Sequence, residues 1–122
     1  MLKINDAIEI ERTYSKEDIE AYCSLADIDP SLVSSVPEPL IAAMYSDMLG
    51  TKLPGPGTMY MKQTSEYLKP APIEERLIAK VEVSRIREDS GLVNLRTTCS
   101  DESGTLYGDG GALVLSPDAK KS

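Results

Sequence analysis

The sequence predicts an α+β domain, and two observations carry that expectation. Leu40, Ile41, Met44, Met48 and Leu49 recur at helical spacing and give a broad apolar face that stops at Gly50. After the turn Pro54-Gly55-Pro56-Gly57 the period of the pattern drops from 3.6 to 2, and four alternating stretches follow. With 122 residues the chain is read as a single domain over 1–122. That length buries enough surface to hold a core without disulfide or metal staples.

Taken in order, Ile8, Ile10, Arg12 and Tyr14 alternate and read as a first strand over Ile8–Tyr14. Ser15-Lys16-Glu17-Asp18 has the form of a capping box, which opens a helix over Lys16–Ala26. Ile19, Tyr22, Cys23 and Ala26 form its apolar face. Asp27–Pro39 is turn-rich and holds three prolines. Ser35-Val36-Pro37-Glu38 reads as a second capping box, because proline costs little in a first helical turn. The long helix is expected to close at Gly50 in a left-handed cap. Thr58–Leu68 reads as a strand, broken by Lys69-Pro70-Ala71-Pro72. Leu77, Ala79, Val81 and Val83 alternate, then Ile86 falls out of phase, which predicts a bulge at Ser84-Arg85. Asp89-Ser90-Gly91 is a hairpin turn, Val93–Cys99 the next strand, Asp101–Gly104 a turn and Thr105–Leu115 the last strand. The four strands are expected to form a meander. Gly108, Gly110 and Gly111 would weaken that last strand unless a backbone or ligand approaches closely. The polar tail Ser116–Ser122 is expected to fray.

Composition excludes several function classes. A net charge of -7 argues against nucleic acid, since phosphate binding needs a basic surface. It also disfavours anionic membranes, and no apolar run approaches the ~20 residues of a membrane span. Cys23 and Cys99 read as two buried free thiols, and without a visible signal peptide the expected compartment is the reduced cytosol. The absence of histidine and of a cysteine pair at ligand spacing argues against a metal site. No cofactor is called for. All six aromatics are tyrosines, so the core is expected to be aliphatic, with some tyrosines at pocket walls or interfaces.

The stretch Leu49-Gly50-Thr51-Lys52-Leu53-Pro54-Gly55-Pro56-Gly57-Thr58, with Tyr60, Gln63 and Leu68, resembles the central helix and following strand of the MaoC-like hotdog family, the (R)-specific enoyl-CoA hydratases. Val81-Glu82-Val83 and Ile86-Arg87-Glu88-Asp89 extend the likeness, which runs from about Tyr14 to Pro117. The resemblance implies a hotdog fold, an antiparallel sheet wrapped around one long helix. It implies an acyl-CoA or acyl-carrier-protein ligand, and pairing as a homodimer or as a heterodimer with another hotdog subunit.

The family carries its chemistry on an Asp-x-Asn-Pro-x-His motif. Here the matching segment reads Asp27-Ile28-Asp29-Pro30-Ser31-Leu32, so Asp27 matches the catalytic Asp, Asp29 replaces the Asn and Leu32 stands in place of the His. The segment that normally covers the active site is shorter, and its terminal His-Gly pair is replaced by Pro37-Glu38. Hydration of an enoyl thioester needs a base for water, an acid for the alpha carbon and donors for the enolate. A proton-transfer group contributes ~10²–10⁴-fold and an oxyanion donor ~10²–10³-fold, so loss of both removes most of the rate.

Asp27 is the candidate catalytic residue; its plainer reading is a turn aspartate. Asp29 beside Pro30 reads as turn chemistry. Ser46, Leu49 and Tyr60 are the candidate substrate-binding residues by resemblance, or else ordinary helix and core packing. Pro54–Gly57 lacks the Lys-Ser/Thr of a phosphate loop and precedes a strand, so it reads as a turn. Three functions are compatible with these residues: an acyl-thioester binder with weakened hydratase or dehydratase chemistry, a non-catalytic subunit of an active hotdog enzyme, and a divergent thioester enzyme run from Asp27 or Glu38.

Overall fold

The computed structural model describes residues 2–117. Strand β1 (Ala7–Thr13) leads into helix α1 (Lys16–Ala26), a 3-10 turn (Pro30–Leu32) and helix α2 (Glu38–Thr51). Strands β2 (Met59–Tyr67), β3 (Arg76–Arg87), β4 (Leu92–Ser100) and β5 (Leu106–Leu115) follow. All five strands form one antiparallel sheet in the order β1-β3-β4-β5-β2.

That order corrects the expected four-strand meander. Only β3, β4 and β5 are sequential neighbours, and β2 crosses to the far edge to pair with β5. Tyr67, Gly108, Cys99 and Ala79 lie opposite one another across four strands, as do Ser65, Gly110, Thr97 and Val81. The glycines admit that crossing. A Cβ on Gly110 would run into the Thr64 carbonyl oxygen of β2, and one on Gly108 would sit 3.4 Å from the Tyr45 hydroxyl. The close approach that excuses glycine in a strand is therefore made by protein backbone and by Tyr45.

The core lies between α2 and the inner sheet face. Ile41, Met44, Tyr45, Met48 and Leu49 pack there, against Leu77, Ala79, Val81, Val83, Val93, Leu95, Cys99, Ala112 and Val114. Three tyrosines, Tyr14, Tyr45 and Tyr107, depart from an aliphatic core; Tyr45 is the deepest, Gly108 leaves room for its ring, and burial pushes its hydroxyl well above the usual range. Cys23 and Cys99 are buried free thiols, as expected. The bulge falls between Val83 and Arg85, at the predicted place.

Helix α1 has the predicted bounds and both bonds of the box. The Asp18 amide donates to Ser15 Oγ at 3.1 Å, and the Ser15 amide donates to Asp18 Oδ2 at 2.9 Å. Of its apolar face Ile19 and Cys23 are buried, whereas Ala26 is exposed. Helix α2 departs from expectation at both ends. Ser35 is no cap; Pro37 holds that position without a side-chain bond, and Pro39 fills the first turn. At the other end Gly50 stays helical, and the helix stops when Lys52 and Leu53 both donate to the Met48 carbonyl. The left-handed residue is Gly55 (φ 98°), whose amide donates to Leu49 O at 3.0 Å. The proline-rich turn thus completes the helix end that Gly50 was expected to close. Of the tail expected to fray, Ser116 is buried and donates its amide to Gly91 O at 2.9 Å, while residues 118–122 lie outside the described residues.

Candidate functional site

Three turns in a row build a cleft at the N-terminal end of α2. Asp27 ends α1 in the left-handed conformation (φ 58°, ψ 47°), a position aspartate tolerates better than most residues. Its backbone amide and that of Ile28 both donate to Cys23 O, which turns the chain across the helix end. Asp29 then caps the 3-10 turn. Its Oδ1 accepts from the Ser31 amide at 3.0 Å and from Ser31 Oγ at 2.9 Å, and these bonds hold its carboxyl below the usual range. The Val36 amide donates to Ala71 O at 2.8 Å and ties this strap to the segment after β2.

Between the strap and that segment lies a cavity of about 470 Å³. Ile28, Leu32, Val36 and Ile41 give it apolar walls, Tyr22 and Tyr67 flank it, and Leu68, Lys69 and Ala71 form the opposite lip. Glu38 is the one carboxylate among the lining residues and Lys69 the one cation. Tyr67 Oη donates to the Glu38 carbonyl oxygen at 3.4 Å and so ties β2 to the first residue of α2. A second hollow of about 590 Å³ opens on the far side of the strap, and Val33 and Ser34 line both. The strap is thus one chain thick, with space on either side. Leu32 is 78% exposed at the cleft, an unusual position for a large apolar side chain.

The candidates from sequence are not brought together. Asp27 is exposed and does not line the cleft, although Ile28 beside it does. Asp29 makes the turn, as read. Ser46 lies on the exposed flank of α2 with Ala43, Asp47 and Gly50. Leu49 is wholly buried in the core. Tyr60 is exposed on β2, where its hydroxyl donates to Gln63 Oε1 at 2.9 Å and partial desolvation raises its pKa. Sequence reading missed Tyr22, Tyr67 and Lys69 as cleft residues. The signal available is the Lys69-Pro70-Ala71-Pro72 break, whose residues form one lip of the cleft as well as ending β2.

Chemically, the cleft is an open hollow of ligand size with mixed apolar and polar walls, lined by one carboxylate and one ammonium. Among the described residues no three His, Cys, Asp or Glu side chains converge as a metal site. No helix of the described chain is long and apolar enough to cross a membrane.

No family model matches the chain. The (R)-specific enoyl-CoA hydratase of Aeromonas caviae is 26% identical over 129 residues, spanning 95% of this chain and 96% of that protein. An enzyme of the same description from Rhodospirillum rubrum is 29% identical over 129 residues, spanning 95% and 89%. The solved structure of the Aeromonas caviae (R)-hydratase superposes with a TM-score of 0.85 over 95% of this chain and 98% of that one. A MaoC-like dehydratase structure from Rhodospirillum rubrum gives 0.72 over 99% and 95%, at 14% identity. End-to-end similarity to the named hydratases, together with the helix wrapped by a β1-β3-β4-β5-β2 sheet, gives the chain a hotdog fold and supports a likeness to the MaoC-like (R)-hydratases.

Proposed function

We propose that the cleft at the head of α2 binds the acyl group of an acyl thioester, carried on CoA or on an acyl-carrier protein, and that hydration or dehydration there is weak or lost. The observation that carries this reading is the pair Leu32 and Glu38. Both line the cleft, and by the resemblance both stand where the family places a histidine and an oxyanion glycine. The slot keeps its apolar walls while the proton-transfer group is replaced by a hydrocarbon. Asp27, the catalytic candidate by resemblance, lies beside the cleft and not in its lining, which supports weak or absent hydration there. Isothermal calorimetry with butyryl-, hexanoyl- and decanoyl-CoA tests binding, for which a Kd of about 10–1,000 μM is expected, or about -4 to -7 kcal/mol. Crotonyl-CoA should keep its conjugated absorbance; its loss at ~1–10³ s⁻¹, the ordinary enzyme range, would sink the reading.

A second reading, a subunit of a larger hotdog assembly, is favoured by β2. It is an edge strand of nine residues, and Met59, Tyr60 and Met61 on it are exposed. Unpaired apolar edges invite strand addition. Another hotdog chain, identical or different, would cover that edge and the flank of α2 that bears Ser46. Ser46 and Tyr60, with Leu49 behind them, would then wall a shared acyl passage.

A further inference from the structure

Gly111 is the glycine of β5 that the packing does not explain. A Cβ on it would meet nothing closer than Leu95 O at 3.5 Å, unlike the collision at Gly110, and its φ lies outside the left-handed region. Glycine inside a strand weakens it, and close approach of a ligand is one reason to keep it there. Leu95 and Ala112 point into the core, so Asn94, Arg96, Gly111 and Leu113 beside them stand on the sheet face turned away from α2. A hollow of about 540 Å³ opens over Gly111 on that face.

Register gathers polar groups around this bare floor. Thr64, Gly111 and Arg96 lie side by side across three strands, and Lys62, Leu113 and Asn94 form the next row. All of them line the hollow, and no carboxylate does. Two bulges flank it, between Tyr60 and Lys62 in β2 and between Val83 and Arg85 in β3. Bulges re-aim side chains and are common beside binding sites. Ser84 Oγ donates to Asn94 O at 3.1 Å and holds the second bulge against β4.

The groups left open here are donors. Asp109 fixes the Arg96 guanidinium through bonds of 3.0 and 2.7 Å from Nε and Nη2, and three of its five N–H groups remain. Lys62 makes no ion pair among the described residues, and neither does Arg85, which shares the bulge opposite Asn94. Asn94 Oδ1 is buried without a hydrogen-bond partner, so no bond within the protein fixes that amide, and its N–H groups are free to turn toward an acceptor. In a chain of net charge -7, an acid-free hollow lined by two cations is a local reversal of sign.

We propose that this hollow binds a small phosphate monoester, held through its phosphate by Lys62, Arg96, Asn94 and Thr64. A phosphate monoester carries about two negative charges at neutral pH, which matches the two cations better than a carboxylate does. Arginine and lysine both bind phosphate, and amide and hydroxyl donors satisfy its remaining oxygens. The volume falls in the ligand range and leaves space beside the phosphate for the organic part of the ester. The absent side chain at Gly111 gives that part its room. The site lies on the opposite side of the sheet from α2 and is separate from the acyl cleft.

The test is calorimetry on the whole chain in a phosphate-free buffer of low ionic strength, since salt screens an exposed anion site. The probes are glycerol phosphate, adenosine monophosphate, inorganic phosphate and adenosine. At least one ester should bind at millimolar concentration, and adenosine should not. Tighter binding of adenosine monophosphate assigns the site to nucleotides, and tighter binding of glycerol phosphate assigns it to polyol phosphates. Lys62→Gln should weaken the ester at least about 10-fold, the loss expected for one charge-assisted bond. Gly111→Val should abolish binding and melt no lower than wild type, because the Cβ has room and valine favours strands. Lys52→Gln, at the end of α2, should bind as wild type does. Binding of inorganic phosphate without either ester means an adventitious ion only and overturns the proposal, as does silence from all probes. Ester binding that survives both Lys62→Gln and Gly111→Val overturns the place assigned to it. A Gly111→Val protein that melts well below wild type overturns the argument from the unneeded glycine.

Discussion

Leu32→Ser separates a ligand-facing residue from a structural one. In the free protein Leu32 is 78% exposed, so about a fifth of its surface is hidden. Full burial of a leucine side chain is worth about 1.5–3 kcal/mol. Folding therefore gains little from it, and the substitution should change stability by no more than about 0.5 kcal/mol, the range of ordinary surface changes. The backbone bond of the 3-10 turn, Leu32 amide to Asp29 O at 3.1 Å, is open to serine as well. A bound acyl chain that covers Leu32 would recover most of the missing burial, about 1–2 kcal/mol. Calorimetry with hexanoyl-CoA should then show a Kd about 5–30-fold weaker, since 1.4 kcal/mol is a factor of ten. Leu49→Ala gives the opposite signature. Leu49 is fully buried, so truncation should cost about 2–5 kcal/mol of stability. An unchanged Kd in Leu32→Ser would refute the place assigned to the acyl chain. A large fall in Tm would refute the exposure argument itself.

Further outcomes follow from single features of the structure. Thr97 Oγ1 is buried without a hydrogen-bond partner, so Thr97→Val should stabilise by about 1–2 kcal/mol and raise the urea midpoint; a lower midpoint would mean the hydroxyl is paired. Tyr107 Oη donates to Asp101 Oδ2 at 2.7 Å, and bonds from Ser103 and Tyr107 pull the Asp101 carboxyl down to about 2. A carboxyl lowered in the folded state adds stability above its unfolded pKa of ~3.9, lost as pH falls toward 2. Tyr107, raised to about 12 by the same bond, adds stability below its unfolded pKa of ~10, lost as pH climbs through 12. Tyr107→Phe should thus be less stable than wild type at pH 7, and the gap should close toward pH 2 and toward pH 12; urea midpoints with a constant gap would refute the coupling. Met61→Lys on the β2 edge should convert a paired species to one near 13.3 kDa by sedimentation, and a wild type already at that mass at micromolar concentration would end the pairing proposal. Asp27→Gly should melt within a few degrees of wild type, because glycine is at ease at φ 58°, whereas Asp27→Val should cost about 1–3 kcal/mol; equal melting of the two would contradict the left-handed cap.

Elements held by local chemistry were legible in the sequence. The bounds of α1 follow from Ser15 and Asp18, and the bulge follows from the phase slip at Ile86; each is decided within a few residues. Gly50 misled because glycine ends a helix only where the chain turns left-handed, and here the turn waits for Gly55. The pairing of β2 with β5 was not legible at all. It depends on glycines 40 or more residues beyond β2, and spacing along a chain does not say which strand will press against them. The cleft was out of reach for the same reason, since its walls come from α1, the strap, α2 and the segment after β2.

The broken motif divides along a physical line. Asp27, Asp29 and Pro30 each have work in this fold that needs no substrate: a left-handed helix cap, a side-chain cap, and the first position of a 3-10 turn. A match at these positions is therefore evidence about how the chain turns between α1 and α2, and carries little weight about catalysis. Leu32 has no comparable structural duty, and Glu38 only that of an acidic residue in the first turn of α2. Leu32 leaves most of its surface in water and Glu38 is exposed, yet both line the cleft. A side chain that the fold does not need, placed on a cavity wall, is free to follow the ligand. Leu32 and Glu38 are therefore the two positions at which the proposed loss of hydration is best tested.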